Sequence, residues 1–276
     1  MGMFMAWPPE PQPLPKLIDN YVLAVRGMAV DRIEEVTKPL FRDEADLPST
    51  IDELESFFGL TDEPCAIYKG DYTLFDAFWL TVIGGLLYHI DRMEVGEVIM
   101  FDRAHEADIQ MLYIAKRAWS NKLYNVHILG PDGDPLLDED MAHISQFARE
   151  NFWYANEGRL FFKTANSYIG SGPVGTQVDD EIVLVHGSTV PLIMRSADVP
   201  SIPSVLNGSL PRDGNWFQFV GCAYVHGIMD GEAAPGPDRT SIQEQVTRMG
   251  KLYSIGLHWA GVQLVEGKTA DQIFLV

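Results

Sequence analysis

The change in the residue pattern after Asn156 constrains the fold of this chain more than any other feature. From there on, short segments rich in β-branched and aromatic residues alternate with clusters of Gly, Pro, Asp and Ser, the pattern of strands joined by turns. The strand-like segments are 159–164, 181–186, 191–195 and 216–224. A helix fits 239–250, and further strands fit 252–257, 261–266 and 272–276. The C-terminal half is therefore predicted to form an antiparallel β-sheet or a partly closed barrel.

The N-terminal half carries apolar residues at helical spacing instead. One helix is predicted over 17–36, and a second begins at the capping box Thr50-x-x-Glu53 and ends before Gly59. An apolar helix is predicted over 74–90, and two more over 104–119 and 136–154. The predicted fold class is α+β, with a helical N-terminal half packed on a β-rich C-terminal half.

Proline-rich sequence in residues 1–16 predicts an extended arm, because proline cannot continue a helix. Such an arm lies on the surface of its own protein or serves as a ligand for a proline-binding partner. The helical region then covers residues 17–155 and the β-rich region covers 156–276. We expect these two regions to form one compact unit.

The net charge is −19, from 20 Lys and Arg against 39 Asp and Glu. This charge argues against nucleic acid or an anionic membrane as a partner. The longest apolar run, 74–90, contains Asp76 and His89 and is shorter than the ~20 residues of a membrane span. Two cysteines and no recognisable secretory leader indicate a cytoplasmic protein.

The segment Tyr224-Val225-His226-Gly227-Ile228-Met229-Asp230-Gly231-Glu232 presents three ionisable side chains next to two glycines. Glycine permits a sharp turn, so His226, Asp230 and Glu232 are expected where the chain reverses. His226 can act as a general acid or base oriented by a carboxylate. Alternatively, the polar side chains fasten the turn by bonding backbone groups. With no second histidine nearby, a metal site is the weakest interpretation.

Two further segments, considered together with 224–232, resemble motifs of a known family. They are Arg-Leu-Phe-Phe-Lys-Thr at 159–164 and Tyr-Ile-Gly-Ser-Gly-Pro at 168–173. Together the three segments resemble the C-terminal half of fungal heterokaryon-incompatibility (HET) proteins. The stretch 21–32 is similar to a further segment of that family. The N-terminal HET signature is missing, so the resemblance implies the accessory half without its signalling domain. Asn166, Ser167 and Ser171 depart from the family pattern on one loop.

Residues 170–175 match the dinucleotide-binding pattern G-x-G-x-x-G. That motif needs a helix directly after the glycines, whereas here the sequence predicts a turn and then a strand. We therefore interpret residues 170–175 as a structural turn. The sequence also lacks the common hydrolase, phosphate-loop and zinc signatures, and no cofactor is predicted.

Two functions remain open. In the first, the chain is a cofactor-independent cyclase of fungal secondary metabolism, and it resembles stand-alone Diels–Alderase-type cyclases that act on terpenoid or polyketide substrates. His226 and Tyr224 would donate hydrogen bonds to a carbonyl, and Asp230 would orient the histidine. An apolar pocket would hold a hydrophobic small molecule, and its substrate-binding residues would be Tyr168, Trp79, Phe75 and Arg159. In the second, the chain is a non-catalytic regulatory or recognition module, and the same residues are structural.

Overall fold

The computed structural model describes residues 16–19, 22–39, 47–60, 66–69, 72–93, 96–119, 138–185, 188–197, 215–230, 232–233 and 271–275. Residues 1–15 of the predicted arm, the predicted helix over 239–250 and the predicted strands over 252–257 and 261–266 lie outside these ranges. The chain divides into two units. Of the described residues, those within 37–161 form the first unit, and those within 16–36 and 162–275 form the second. Each unit is described by itself below.

The first unit combines helices with short antiparallel ribbons. Its elements are α1 (Leu47–Phe58), β3 (Ile67–Lys69), β4 (Tyr72–Thr73), α2 (Leu74–Val82), β5 (Leu86–Met93), β6 (Gly96–Arg103), α3 (Glu106–Trp119) and α4 (Asp138–Asn156). Aromatic side chains fill its core, and Phe78, Trp79 and Phe152 are fully buried. The side chain of Asn156 ties α4 to α2, since its Nδ2 donates to the Val82 carbonyl at 2.6 Å.

The helix predicted over 74–90 is wrong in its second half, because α2 ends at Val82 and β5 begins at Leu86. Gly84 and Gly85 lie between them with φ angles of +62° and +67°. This left-handed conformation stops a right-handed helix and turns the chain into the strand. The start of α2 is fixed by a capping box between Thr73 and Asp76, in which Asp76 N donates to Thr73 Oγ1 at 3.1 Å.

The helix predicted from Thr50 begins three residues earlier, at Leu47, so the proposed capping box lies inside α1. Its end is as predicted, because Gly59 follows Phe58 with a φ of +73°. The helices predicted over 104–119 and 136–154 are confirmed as α3 and α4 with shifts of two residues. The prediction of a helical N-terminal half is nevertheless too simple, since four strands interrupt the helices of the first unit.

The second unit is built from strands. They are β1 (Lys16–Asp19), β2 (Val22–Val36), β7 (Arg159–Thr164, which begins in the first unit), β8 (Ile169–Pro173), β9 (Glu181–Val185), β10 (Leu192–Ser196), β11 (Asn215–Cys222), β12 (Tyr224–Val225) and β13 (Asp271–Leu275). The predicted strands over 159–164, 181–186, 191–195, 216–224 and 272–276 are thus confirmed within one or two residues. β8 corrects the interpretation of 170–175, whose first four residues continue a strand before the turn.

The helix predicted over 17–36 is wrong, because these residues form β1 and the long strand β2. β2 lies centrally in the sheet and pairs in turn with β13, β9 and β7. These ladders satisfy its backbone groups on both sides, and its β-branched residues favour the extended conformation. Apolar spacing alone could not reveal those partners, which come from distant parts of the sequence.

The sheet of the second unit has the strand order β12-β8-β7-β2-β13-β11-β10-β9. Its pairings are antiparallel except for β11 with β13, which is parallel. β9 also pairs with β2, so the sheet curls, but among the described strands it is not closed as a whole and β12 forms one end. The predicted large antiparallel sheet is therefore confirmed in its main features.

An ion pair fixes the turn between β8 and β9. Arg195 on β10 donates from Nε and Nη2 to the two carboxylate oxygens of Asp180, at 2.8 and 2.9 Å. The same Nη2 donates to the Gly175 carbonyl at 2.8 Å. The Asp180 side chain is 1% exposed, so its charge is compensated inside the protein. Arg195 therefore forms a bidentate ion pair with a carboxylate of the same chain.

Candidate functional site

The turn that carries His226 is held on β8. β12 pairs with β8 through Tyr224 opposite Ser171 and Val225 opposite Gly170. The His226 amide continues this ladder by donating to the Ile169 carbonyl at 3.0 Å. Gly227 then adopts a φ of +89°, which permits the reversal expected from the sequence. The predicted sharp turn is present.

Apolar residues of the turn anchor it in the core of the second unit. Val225 and Ile228 are 0% and 1% exposed. They belong to one cluster of buried residues, which also contains Ile33, Phe162, Ile182, Ile193 and Ala223. Burying these side chains fixes the backbone on both sides of His226.

Backbone amides of the turn find partners within the turn. Val225 N donates to the Met229 sulfur at 3.4 Å. Asp230 N donates to Glu232 Oε2 at 2.7 Å. The Met229 sulfur thus accepts the amide of a residue in β12, and the Glu232 carboxylate helps to fix the backbone of the turn. The sulfur contact could not be found from sequence, because methionine is rarely an acceptor.

His226 is buried, with 4% of its surface exposed. The Tyr224 hydroxyl lies 3.1 Å from His226 Nδ1, and which atom donates depends on the imidazole tautomer. The two rings are tilted by 42° with centroids 6.3 Å apart. The structure therefore brings together two of the three predicted catalytic residues, and the third, Asp230, follows in the same turn. Their catalytic role stays a prediction.

Tyr168 lies beside this turn and is half-buried. A β-carbon added to Gly227 would lie 3.6 Å from Tyr168 Cε1, so the ring packs against the glycine. Burial, and then the negative charges of Asp31 and Glu232, raise the pKa of the Tyr168 phenol above its ordinary value. At neutral pH the phenol is therefore protonated and able to donate a hydrogen bond.

The loop before Tyr168 is fixed by Asp31, a residue that the sequence did not single out. Asp31 accepts from Asn166 N at 3.1 Å and from Asn166 Nδ2 at 3.0 Å. Ser167 has a φ of +63°, and Tyr168 N donates to Thr164 Oγ1 at 3.0 Å. The sequence departures at Asn166 and Ser167 thus lie in a tight turn. The Asn-Ser pair at 166–167 was an available signal for that turn, because both residue types are common in turns.

The remaining predicted substrate-binding residues belong to the first unit. Phe75 and Trp79 are on α2 with ring centroids 6.2 Å apart. Trp79 is fully buried and also contacts the Phe152 ring at 6.0 Å. Arg159 begins β7 and is half-buried. Their assignment as substrate-binding residues stays a prediction.

Neither a metal site nor a membrane helix is found in the parts of the chain that the structure describes. Within them, no three His, Cys, Asp or Glu side chains are grouped to hold a metal ion. Of the described helices, none is both long enough and apolar enough to cross a bilayer.

Comparison with known proteins relates the chain to one group. Residues 136–242 match the Het-6 beta-barrel domain. Heterokaryon incompatibility protein 6, OR allele, of Neurospora crassa is 35% identical over 83 residues, which are 30% of this chain and 10% of that protein. The chain thus aligns with about a tenth of the length of this relative. No solved structure matches.

These similarities support the resemblance drawn from the segments at 159–164, 168–173 and 224–232, and they relate the chain to fungal heterokaryon incompatibility proteins. The second resemblance, to Diels–Alderase-type cyclases, receives no support from them.

Proposed function

We propose that this chain is a non-catalytic recognition module related to the heterokaryon incompatibility proteins. The observation that carries the proposal is the match of residues 136–242 to the Het-6 beta-barrel domain. This range contains the turn with His226 and the strands that support it. In the Neurospora relative, the aligned segment makes up 10% of the protein, as expected for one module of a larger chain.

The contacts of His226 and Glu232 also favour a structural role for these residues. His226 is buried next to the Tyr224 hydroxyl, and Glu232 accepts the Asp230 amide. Each of these contacts stabilises the turn without a ligand. The exposed surface around this turn, including Asn166 and Ser167, is then the part available to a protein partner.

Cyclisation of a hydrophobic small molecule stays an untested prediction. It would require a substrate to reach the Tyr224 hydroxyl and the His226 ring, whose residues are 6% and 4% exposed.

Proximity labelling in Neurospora crassa hyphae tests the proposal. The chain is fused to a labelling enzyme and compared with Tyr224→Phe, which removes only the hydroxyl beside His226, and with Gly170→Ala, which disturbs the sheet beneath the turn. We expect the same labelled proteins for the native chain and Tyr224→Phe, and their loss for Gly170→Ala.

Native mass spectrometry of the purified chain provides the opposing outcome. A hydrophobic metabolite that co-purifies with the native chain and is converted, but is not converted by Tyr224→Phe, would establish an enzyme and refute the module. Failure to label any reproducible set of proteins would also count against recognition.

A further inference from the structure

The most exposed large apolar side chains described in the second unit lie on two segments. Val174 and Val178 belong to the turn between β8 and β9, and Phe219 belongs to β11. Their exposed fractions are 49%, 49% and 47%. Isolated exposed apolar residues are common on protein surfaces, whereas adjacent ones mark sites of interaction. The contacts between the turn and β11 therefore decide what these residues indicate.

The turn packs directly against β11. A β-carbon added to Gly175 would lie 3.7 Å from Val220 Cγ1, and one added to Gly221 would lie 2.7 Å from Pro173 Cγ. The residues in contact flank exposed ones in sequence. The turn and β11 thus share one apolar surface, hereafter the turn–β11 patch, which consists of Pro173, Val174, Phe219 and Val220.

Hydrogen bonds hold the turn in one conformation. Arg195 on β10 donates to both carboxylate oxygens of Asp180 and to the Gly175 carbonyl. The Gln177 amide donates to Asp180 Oδ2 at 2.8 Å. A surface that is already ordered loses little conformational entropy when a partner binds. The turn therefore presents its apolar residues in a form suited to binding.

Acidic side chains border the patch on the side of β9. Met194 on β10 lies opposite Phe219 and also opposite Glu181, so these two residues share one face of the sheet. Glu181 lies opposite Arg32, whose guanidinium pairs with Asp179 at 3.2 Å. Together these contacts and the buried ion pair bring two guanidinium groups and three carboxyl groups to this border, namely Arg32, Arg195, Asp179, Asp180 and Glu181.

We propose that the turn–β11 patch docks a partner protein through a segment that carries an apolar side chain beside a lysine or arginine. The apolar side chain packs on Val174 and Phe219, and the cation lies near Asp179 and Glu181. The excess of carboxyl groups at the border and the net charge of −19 both favour a basic segment. This inference rests on the proposed function, and it adds a second surface with a stated partner chemistry.

Selection of short peptides from a random displayed library on the full chain tests this chemistry without presupposing a sequence. A small patch of this kind fits a weak interface, so we expect the enriched peptides to bind with roughly micromolar dissociation constants. We expect them to combine basic with apolar residues. No enrichment, or enrichment of acidic or wholly polar peptides, would overturn the proposal.

Substitutions in the patch locate the binding. Phe219→Ser should weaken the binding of an enriched peptide about tenfold, because an aromatic anchor is removed. Val174→Ser is a second variant at an exposed position, and melting temperatures show that each variant is folded. Ile67→Ser is the matched control, since Ile67 is exposed on β3 and should bind like the native chain. Native binding by a folded Phe219→Ser and a folded Val174→Ser would rule out the patch.

The acidic border is tested by Asp179→Asn. Asn tolerates the positive φ of +72° at this position, so the substitution removes the charge with little strain. Peptide binding should weaken about threefold at low ionic strength, and the difference should disappear at high salt. Glu157→Gln, at an exposed residue of the first unit, should leave binding unchanged. Equal binding of Asp179→Asn and the native chain at low salt would contradict the basic partner.

Proximity labelling with Phe219→Ser separates this inference from the proposed function. Loss of the labelled proteins from a folded variant supports both. A set that is unchanged by the substitution leaves the recognition module in place and overturns the patch. If the native chain itself labels no reproducible set, the proposed function fails, and the peptide measurements alone decide on the patch.

Discussion

Different kinds of contact stabilise the interior of each of the two units of this protein. In the first unit, rings from separate helices meet edge to face, as for Phe75 on α2 and Tyr113 on α3 with centroids 5.3 Å apart. In the second unit, strands approach so closely that a single added carbon would collide, and the ion pair of Arg195 with Asp180 fixes the turn between β8 and β9. The first unit thus depends on the volume of large side chains, and the second on close backbone contact.

Removing a large ring from the first unit should have the largest effect. Trp79→Ala empties a fully buried site that is surrounded by aromatic rings, which typically costs about 4 kcal/mol of unfolding free energy. Denaturant unfolding gives the loss, and hydrogen exchange in α2 and α4 locates it. Ile67→Ala is the control, because Ile67 is 83% exposed and should change the stability little. Equal losses for both variants would contradict the importance of ring volume.

Adding one carbon to the second unit should have the next largest effect. In Gly170→Ala, the new β-carbon would lie 2.5 Å from the Tyr224 carbonyl oxygen and 2.6 Å from Phe162 Cζ. Because a backbone atom cannot easily yield, we expect a loss of about 3 kcal/mol. Gly175→Ala is the matched control, since its nearest neighbour would be Val220 Cγ1 at 3.7 Å. A stable Gly170→Ala protein would show that the close contact between β8 and β12 is not required.

The ion pair behind the β8–β9 turn should matter less. Arg195→Met leaves the buried carboxylate of Asp180 without its cation, and we expect a loss of about 2 kcal/mol, since the arginine is partly exposed. Arg32→Met removes an ion pair to Asp179 whose partners are 64% and 74% exposed, and it should change the stability by less than about 0.5 kcal/mol. Urea unfolding of the two variants gives both values, and similar losses would contradict the difference between buried and exposed pairs.

The smallest effect is expected at Glu181. Burial raises the pKa of this carboxyl, and Arg32 opposes the shift. A carboxyl whose pKa is higher in the folded state binds its proton more tightly there, so its ionisation lowers stability as the pH rises past its unfolded pKa. Glu181→Gln should therefore unfold like the native chain at low pH and be slightly more stable at neutral pH. A difference that shrinks with rising pH would contradict this sign.

The strands of the second unit after Asn156 could be predicted because each is bounded by local signals. Glycine, proline or aspartate lies next to β7, β9 and β10. Strand-like segments rich in β-branched and aromatic residues thus alternate clearly with turn-forming residues. The same reasoning failed for β2, whose apolar residues fit a helix and a strand equally. Its strand conformation depends on β7, β9 and β13, which are far away in sequence.

Part of the candidate site was also predictable from sequence. The glycine at 227 indicated a turn. The sequence analysis expected Asp230 to orient His226 and did not foresee the contact of the Tyr224 hydroxyl with His226 Nδ1. The contact of Met229 sulfur with the Val225 amide and the approach of Asp31 to the loop before Tyr168 were not foreseen. The first involves an uncommon acceptor, and the second joins residues more than a hundred positions apart.

Thermal unfolding of His226→Ala tests most directly whether the turn is structural. The account predicts a loss of about 2 kcal/mol, or roughly 4–8 °C in the melting temperature, because a buried ring and its contact with Tyr224 are removed. His143→Ala, at an exposed histidine on α4, should leave the melting temperature nearly unchanged. If His226→Ala melts at the same temperature as the native chain, His226 does not stabilise the turn, and the catalytic interpretation becomes the better one.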